Sequence, residues 1–121
     1  MAGKAFGFKS TTKRNWVLDG PYGYVALSLL CAISKQKCPL TAIKENEEQQ
    51  QLTIYADIPS SAKAWGGTPL VDAIPQIGRY EVSGTATFHG QLIAWGKGNQ
   101  MLRQLWQDSE TFVTRFSIEH L

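Results

Sequence analysis

Between Arg79 and His89 the chain alternates polar with small or apolar side chains, and this pattern constrains the fold more than any other in the sequence. A period of two residues is typical of a β-strand that buries one face and exposes the other. Such half-buried strands belong to antiparallel sheets, because strands of parallel sheets are covered on both faces. The sequence therefore predicts a mainly antiparallel sheet. The residues expected on its buried face are Tyr80, Val82, Gly84, Ala86 and Phe88.

Residues 40–58 predict a hairpin in the same sheet. Leu52, Ile54, Ala56 and Ile58 alternate with Thr53, Tyr55 and Asp57. The partner strand is expected over about residues 40–46, joined through the polar turn 47–50. The alternative is one helix over residues 44–51, because these are good helix formers.

Shorter patterns predict three more strands, over residues 16–18, 91–95 and 112–118. In the last of these, Phe112, Thr114, Phe116 and Ile118 recur at every second position. Residues 59–78 hold three prolines and three glycines. We interpret this stretch as a long loop with a short helix at residues 69–74, and long loops in small domains are often functional.

Two helices are expected. Asp19, Gly20 and Pro21 form a helix start signal, and residues 21–36 are apolar nearly all round. Such a helix is buried on more than one side, either at the centre of the domain or against a partner subunit. A second helix is expected over about residues 99–108, with an apolar stripe at helical spacing. That stripe consists of Met101, Leu102, Leu105 and Trp106.

These elements predict an α+β fold, a single domain with a mainly antiparallel sheet of about five to six strands packed against two helices. The length of 121 residues and the apolar fraction of 43% suit one core and exclude intrinsic disorder. We divide the chain into residues 1–14, a basic flexible arm or edge strand, and residues 15–121, the α+β domain.

Charge and cysteine content give weaker expectations. A net charge of +2 is low for a dedicated nucleic-acid-binding protein. The longest uncharged stretch, residues 20–34, is too short to span a bilayer and lacks the features of a signal peptide. Cys31 and Cys38 are expected as reduced thiols, although a bridge between them is an alternative. We therefore expect a soluble cytoplasmic protein without a membrane span.

Five residues are predicted to bind a ligand. Trp65 and Trp95 each precede glycine, where permissive backbone lets an indole ring line a groove; the alternative is that they pack in the core. Lys97 lies in the glycine-containing turn 96–99 before a helix, where backbone N–H groups favour an anion. The alternative there is a simple turn with Asn99 as the helix cap. Arg79 and Tyr80 complete the predicted set as a neighbouring cation and aromatic residue.

No catalytic or metal-binding pattern is present in the sequence. Cys31 or Cys38 with His89 and Asp57 offers the residue types of a thiol nucleophile, but their spacing matches no motif. Two cysteines and two histidines do not suggest a zinc site. The sequence therefore predicts no catalytic residues, no metal and no cofactor.

The resulting hypothesis is a non-enzymatic binding module for a protein partner or an apolar small molecule, self-associating as a two-fold dimer. An alternative is a single-stranded nucleic-acid-binding protein that uses exposed aromatic residues and the basic arm. The cations of that arm are Lys4, Lys9, Lys13 and Arg14. A third hypothesis is a small enzyme that acts on an anionic substrate at the turn 96–99.

Overall fold

The computed structural model describes residues 9–58, 69–89 and 97–119. These residues form five strands and two helices, and the predicted α+β class is confirmed. In chain order the elements are β1 (Lys9–Leu18), α1 (Tyr22–Lys35), β2 (Leu40–Asn46), β3 (Gln51–Ala56), β4 (Val71–Gln76), β5 (Arg79–His89) and α2 (Lys97–Glu119).

All strand pairs in the sheet are antiparallel, and the strand order is β1-β5-β4-β3-β2. β2 to β5 follow one another as a meander, whereas β1 pairs with β5 from Lys9↔His89 to Leu18↔Tyr80. β1 crosses the boundary between residues 14 and 15 that the sequence suggested. Among the described strands, the two at the edges of the sheet are therefore β1 and β2.

One face of the sheet carries the hydrophobic core. Because side chains alternate along a strand, every second residue of β1, β3, β4 and β5 points to this face. The buried residues that the strands contribute are Trp16, Leu18, Leu52, Ile54, Val71, Ala73, Tyr80, Val82 and Ala86. α1 and α2 add Val25, Leu29, Ala32, Ile33, Leu102, Leu105 and Val113. We call this the helix-side face and its opposite the open face.

The two helices lie side by side and antiparallel on the helix-side face. Tyr24 near the start of α1 contacts Phe116 near the end of α2, with ring centroids 6.3 Å apart. Lys35 at the end of α1 reaches Asp108, with 3.4 Å between Nζ and Oδ1. α2 packs against β1 and β5, so the helix layer is centred away from β2. All seven residues of β2 are exposed, although its neighbour β3 buries Leu52 and Ile54.

The hairpin β2–β3 and the polar turn 47–50 are confirmed, which removes the alternative of a helix there. Asn46 organises this turn, because its Oδ1 accepts a hydrogen bond from the backbone N–H of Gln49 at 3.2 Å. The first helix and the strand Arg79–His89 are also confirmed. The predicted strand at residues 91–95 lies outside the described residues.

The prediction of a helix at 99–108 followed by a strand at 112–118 is wrong, because α2 is continuous from Lys97 to Glu119. Phe112 and Phe116 are four residues apart, a spacing that also fits one face of a helix. Their rings stack with centroids 6.1 Å apart, and Val113 is buried below them. No proline or glycine separates residue 108 from residue 112 to end the helix.

The predicted helix at residues 69–74 and the irregular stretch up to residue 78 are also wrong, because β4 occupies Val71–Gln76. Val71 and Ala73 are buried and alternate with half-buried Asp72 and Ile74. Pro75 is tolerated because β3 pairs with β4 only through Val71, Asp72 and Ala73 in the described sheet, so no ladder bond from residue 75 is needed there. Residues 59–68 lie outside the described residues.

Candidate functional site

The structure describes the side chains of two of the five predicted ligand-binding residues. Trp65, Trp95 and the side chain of Lys97 lie outside the described residues. Arg79 and Tyr80 are consecutive on β5, and consecutive residues of a strand point to opposite faces. The structure therefore does not bring these two side chains together.

Arg79 is exposed beside a shallow hollow on the open face, lined also by Val17, Gln76, Ile77 and Glu81. Tyr80 is only 6% exposed on the helix-side face. Its ring lies 5.9 Å from that of Tyr22, centroid to centroid, and burial raises its pKa. Tyr80 therefore acts as a core residue in this fold.

The basic arm is divided between the two faces of the sheet. Lys13 is exposed on the open face, whereas Arg14 points to the helix side. The Arg14 guanidinium lies over the Trp106 ring at 5.5 Å from its centroid, and its Nη2 donates to Asn99 Oδ1 at 3.0 Å. Asn99 therefore lies within the first turn of α2 as a partner of Arg14. These contacts join β1 to α2.

The open face carries mixed charges and little aromatic surface. Its described charged residues are three cations and two acids: Lys13, Lys44 and Arg79, and Asp72 and Glu81. Tyr55 is the one aromatic residue that the described strands place on this face, and the Lys44 ammonium lies 5.4 Å from its ring centroid. The described residues of this face therefore do not form the aromatic platform that stacks the bases of a single strand.

The cysteines are free thiols in different surroundings. Burial, and to a smaller extent the charge of Asp57, raises the pKa of Cys38 to about 11. A nucleophilic cysteine needs the opposite shift, because the thiolate is the reactive form. Within residues 9–58, 69–89 and 97–119 there is also no cluster of three or more His, Cys, Asp or Glu side chains arranged to hold a metal ion.

β2 presents the most distinctive surface of the described chain. Leu40 is 49% exposed and Ile43 is 48% exposed. Leu40 lies opposite Ala56 and Ile43 opposite Ile54 in the β2–β3 register. Because directly opposed residues share a face, both side chains lie on the helix-side face. They form an apolar strip at the margin of the sheet, beyond the cover of the helices.

The hydrogen bonds of β3 establish which way its backbone groups point. The Ile54 carbonyl accepts a hydrogen bond from the Leu70 N–H at 2.9 Å, on the β4 side. The Asp57 N–H donates to the Pro39 carbonyl at 2.9 Å, on the β2 side. Backbone groups alternate in direction along a strand. Even-numbered residues of β3 therefore bond towards β4 and odd-numbered residues towards β2.

The same alternation leaves two residues of β2 with backbone groups directed away from the sheet. Lys44 lies opposite Thr53 and Ala42 opposite Tyr55, so these residues bond inward to β3. Ile43 and Glu45 lie opposite the even-numbered Ile54 and Leu52. Their N–H and C=O groups therefore point outward. We call these groups, together with the side chains of Leu40 and Ile43, the β2 edge site.

The charged side chains of β2 make contacts within their own chain. Lys44 packs on Tyr55 across the open face. Glu45 accepts a hydrogen bond from the Tyr22 hydroxyl, with 2.5 Å between the oxygens. Burial, followed by this hydrogen bond, raises the pKa of Tyr22 above its ordinary value, so the phenol remains a donor. Both charged side chains are thus engaged within their own chain.

Sequence reasoning missed the β2 edge site because a bulge hides its pattern. Leu40 and Ile43 are three residues apart, which breaks the alternation of a regular strand. The register of β2 with β3 shifts between Leu40 and Ala42. An extra residue in the strand turns both side chains to the same face. The available signal was two large apolar residues in a short strand otherwise made of polar or small ones.

Comparison with known proteins gives no information on the function of this chain. In the part of the chain that the structure describes, no helix is both long and apolar enough to cross a membrane. No family model, curated protein or solved structure matches this chain.

Proposed function

We propose that this protein is a non-enzymatic binding module that takes up an extended protein segment along β2. The observation that carries the proposal is the pair of outward-pointing backbone groups at Ile43 and Glu45, beside the exposed side chains of Leu40 and Ile43. Strand addition uses both features, because main-chain hydrogen bonds give affinity and alternate side chains give specificity.

An extended segment suits the described surface better than an apolar small molecule does. Small-molecule sites are concave, largely apolar and bury most of their ligand. Three hollows among the described residues are open, and most of the side chains that line them are polar, such as Gln36, Gln100 and Gln104. A strand at the edge of a sheet needs no pocket, because it extends the existing ladder.

The test is a titration of dilute, isotope-labelled protein with a synthetic peptide of alternating valine and threonine, with lysine at both ends for solubility. We expect amide resonances of Ile43 and Glu45 to shift and their hydrogen exchange to slow, because each gains a hydrogen-bond partner. The matched control is the same peptide with an N-methyl group at every residue, which removes the backbone donors from both of its edges.

Two results would contradict the proposal. One is the absence of any shift in β2. The other is an equal response to the N-methylated peptide, which would show that the contact does not depend on a backbone ladder.

A further inference from the structure

We infer that the partner taken up by β2 is a second copy of this chain, paired antiparallel about a two-fold axis at Ile43. This inference rests on the proposed function, since it requires that β2 accepts a strand. The two sheets would become one continuous sheet, with β2 of each copy at its centre. An isologous contact of this kind uses the same surface twice and closes after two subunits.

Backbone direction limits where the axis can lie. In an antiparallel pair, two residues that both point their backbone groups at the neighbour form a hydrogen-bonded pair. With the axis at Ile43, the N–H of Ile43 donates to the carbonyl of the partner's Ile43, and the reverse bond forms by symmetry. Glu45 then lies opposite the partner's Thr41. The outward groups of Ile43 are thus used in both copies.

Charge and side-chain pattern distinguish this register from its neighbours. An axis at Lys44 or at Glu45 places like charges directly opposite each other, which destabilises a strand pair. An axis at Thr41 places Ile43 opposite the partner's Pro39, which has no N–H to donate. An axis at Ala42 opposes Ile43 to the partner's Thr41 and separates the isoleucines. With the axis at Ile43, Lys44 faces the partner's Ala42 and the two isoleucines meet.

The apolar strip supports a second copy as the occupant. Leu40 and Ile43 lie on the helix-side face but are not covered by α1 or α2. Two-fold pairing brings both strips together between the two α1 helices, so each copy supplies the cover that the other lacks. Removal of apolar surface from water is the main favourable term in such an association.

The exposed side of α1 gives no comparable argument for an interface between two copies of the chain. Leu27 is 48% exposed, but Tyr24 and Cys31, which flank it by about one turn, are half-buried. A single exposed leucine is ordinary on a protein surface. Leu27 therefore serves as the control position, since its exposure equals that of Ile43.

The experiment is a charge swap on the axis, measured by sedimentation velocity over a concentration series. We expect the wild-type chain to form a dimer at high concentration. Ile43→Lys alone and Ile43→Glu alone should each be monomeric, because like charges meet at the axis. An equal mixture of the two variants should dimerise again. Leu27→Glu should behave like the wild-type chain. Circular dichroism of each variant verifies its fold.

A cross-link provides a second measurement that does not depend on charge. Hydrogen-bonded residues of antiparallel strands have Cα atoms about 5.5 Å apart, within the range of a disulfide. Ile43→Cys in a Cys31→Ser background should form a covalent dimer on mild oxidation. Lys44→Cys in the same background should not, because residue 44 faces the partner's Ala42.

The outcomes separate this inference from the proposed function. A wild-type chain that stays monomeric at every concentration, while the valine–threonine peptide still shifts Ile43 and Glu45, would overturn self-pairing and leave strand binding intact. Failure of both would overturn both. A dimer that persists in Ile43→Lys, or one that Leu27→Glu dissociates, would show that the axis does not lie at Ile43.

Discussion

Gly84 shows how tightly single residues are fitted in this fold. A Cβ atom built at this position would lie 2.9 Å from Cζ3 and Cη2 of Trp16 and 3.0 Å from Cδ2 of Leu102. Cβ atoms in proteins essentially never lie closer than 3.0 Å to such neighbours, which here are an indole ring and a buried leucine. β5 therefore needs glycine here so that Trp16 and Leu102 can pack against its backbone.

We expect Gly84→Ala to lower the free energy of unfolding by about 1–3 kcal/mol, the usual cost of overpacking a core. The matched control is Gly23→Ala in α1, where a Cβ would meet nothing within 4 Å. The same change there should raise the free energy of unfolding by about 0.5–1 kcal/mol, because alanine favours a helix more than glycine does. Urea denaturation checks both values, and equal effects at the two positions would contradict the packing argument.

The raised pKa of Cys38 leads us to expect that the free energy of unfolding depends on pH. Its pKa is raised from 9.0 to about 11 in the folded chain, so the folded state holds the thiol proton more tightly than the unfolded state does. The stabilisation of the folded chain by this proton is complete below the pKa of the unfolded state. It is lost as the pH rises towards the pKa of the folded state. We expect unfolding free energies measured from about pH 8 to about pH 10 to fall with increasing pH.

In that series Cys38→Ala should flatten the fall, and Cys31→Ala, which removes the other thiol, should not. A profile unchanged by Cys38→Ala would show that the thiol is not responsible.

β2 is the element whose local geometry matters most for function. Proline at an edge is tolerated where the missing N–H would have faced outward. In dilute protein we expect Ile43→Pro to change the free energy of unfolding by less than about 1 kcal/mol, because no bond to β3 is lost. Lys44→Pro removes a donor that faces β3 and should cost roughly 1–3 kcal/mol. Chemical denaturation of both variants checks the difference, and the reverse order would show that the outward residues were assigned wrongly.

Elements with one dominant pattern were predictable from the sequence, and elements with two compatible patterns were not. Polar and apolar side chains alternate throughout residues 79–89, and no helix pattern fits so long an alternation. The first helix has a start signal before it and a proline beyond its end. By contrast, apolar residues at 112 and 116 fit both a strand and a helix, because two steps of a strand and one turn of a helix both cover about four residues. β4 was hidden because Pro75 and Gly78 usually mark loops.

At the scale of the whole molecule, the β2 edge site arises because the sheet is wider than the layer of helices that covers it. Five strands spaced about 4.8 Å apart are wider than two helices packed about 8–10 Å apart can cover. The helix layer is centred towards β1 and β5, so β2 is left uncovered. Neither the strand order nor the position of the helices follows from local pattern. The exposure of Leu40 and Ile43 could therefore not be predicted from the sequence, although the hairpin that carries them could.

The position of β1 also has a consequence for the order in which the fold forms. β1 is the first described strand, yet its partner in the sheet is β5, the last one. During synthesis, the β2–β5 meander can assemble from neighbouring segments, but β1 has no partner until β5 has been made. Contacts between distant segments form slowly, because a long loop must close first. The sheet is therefore completed late, when an early segment of the chain joins the last strand to emerge.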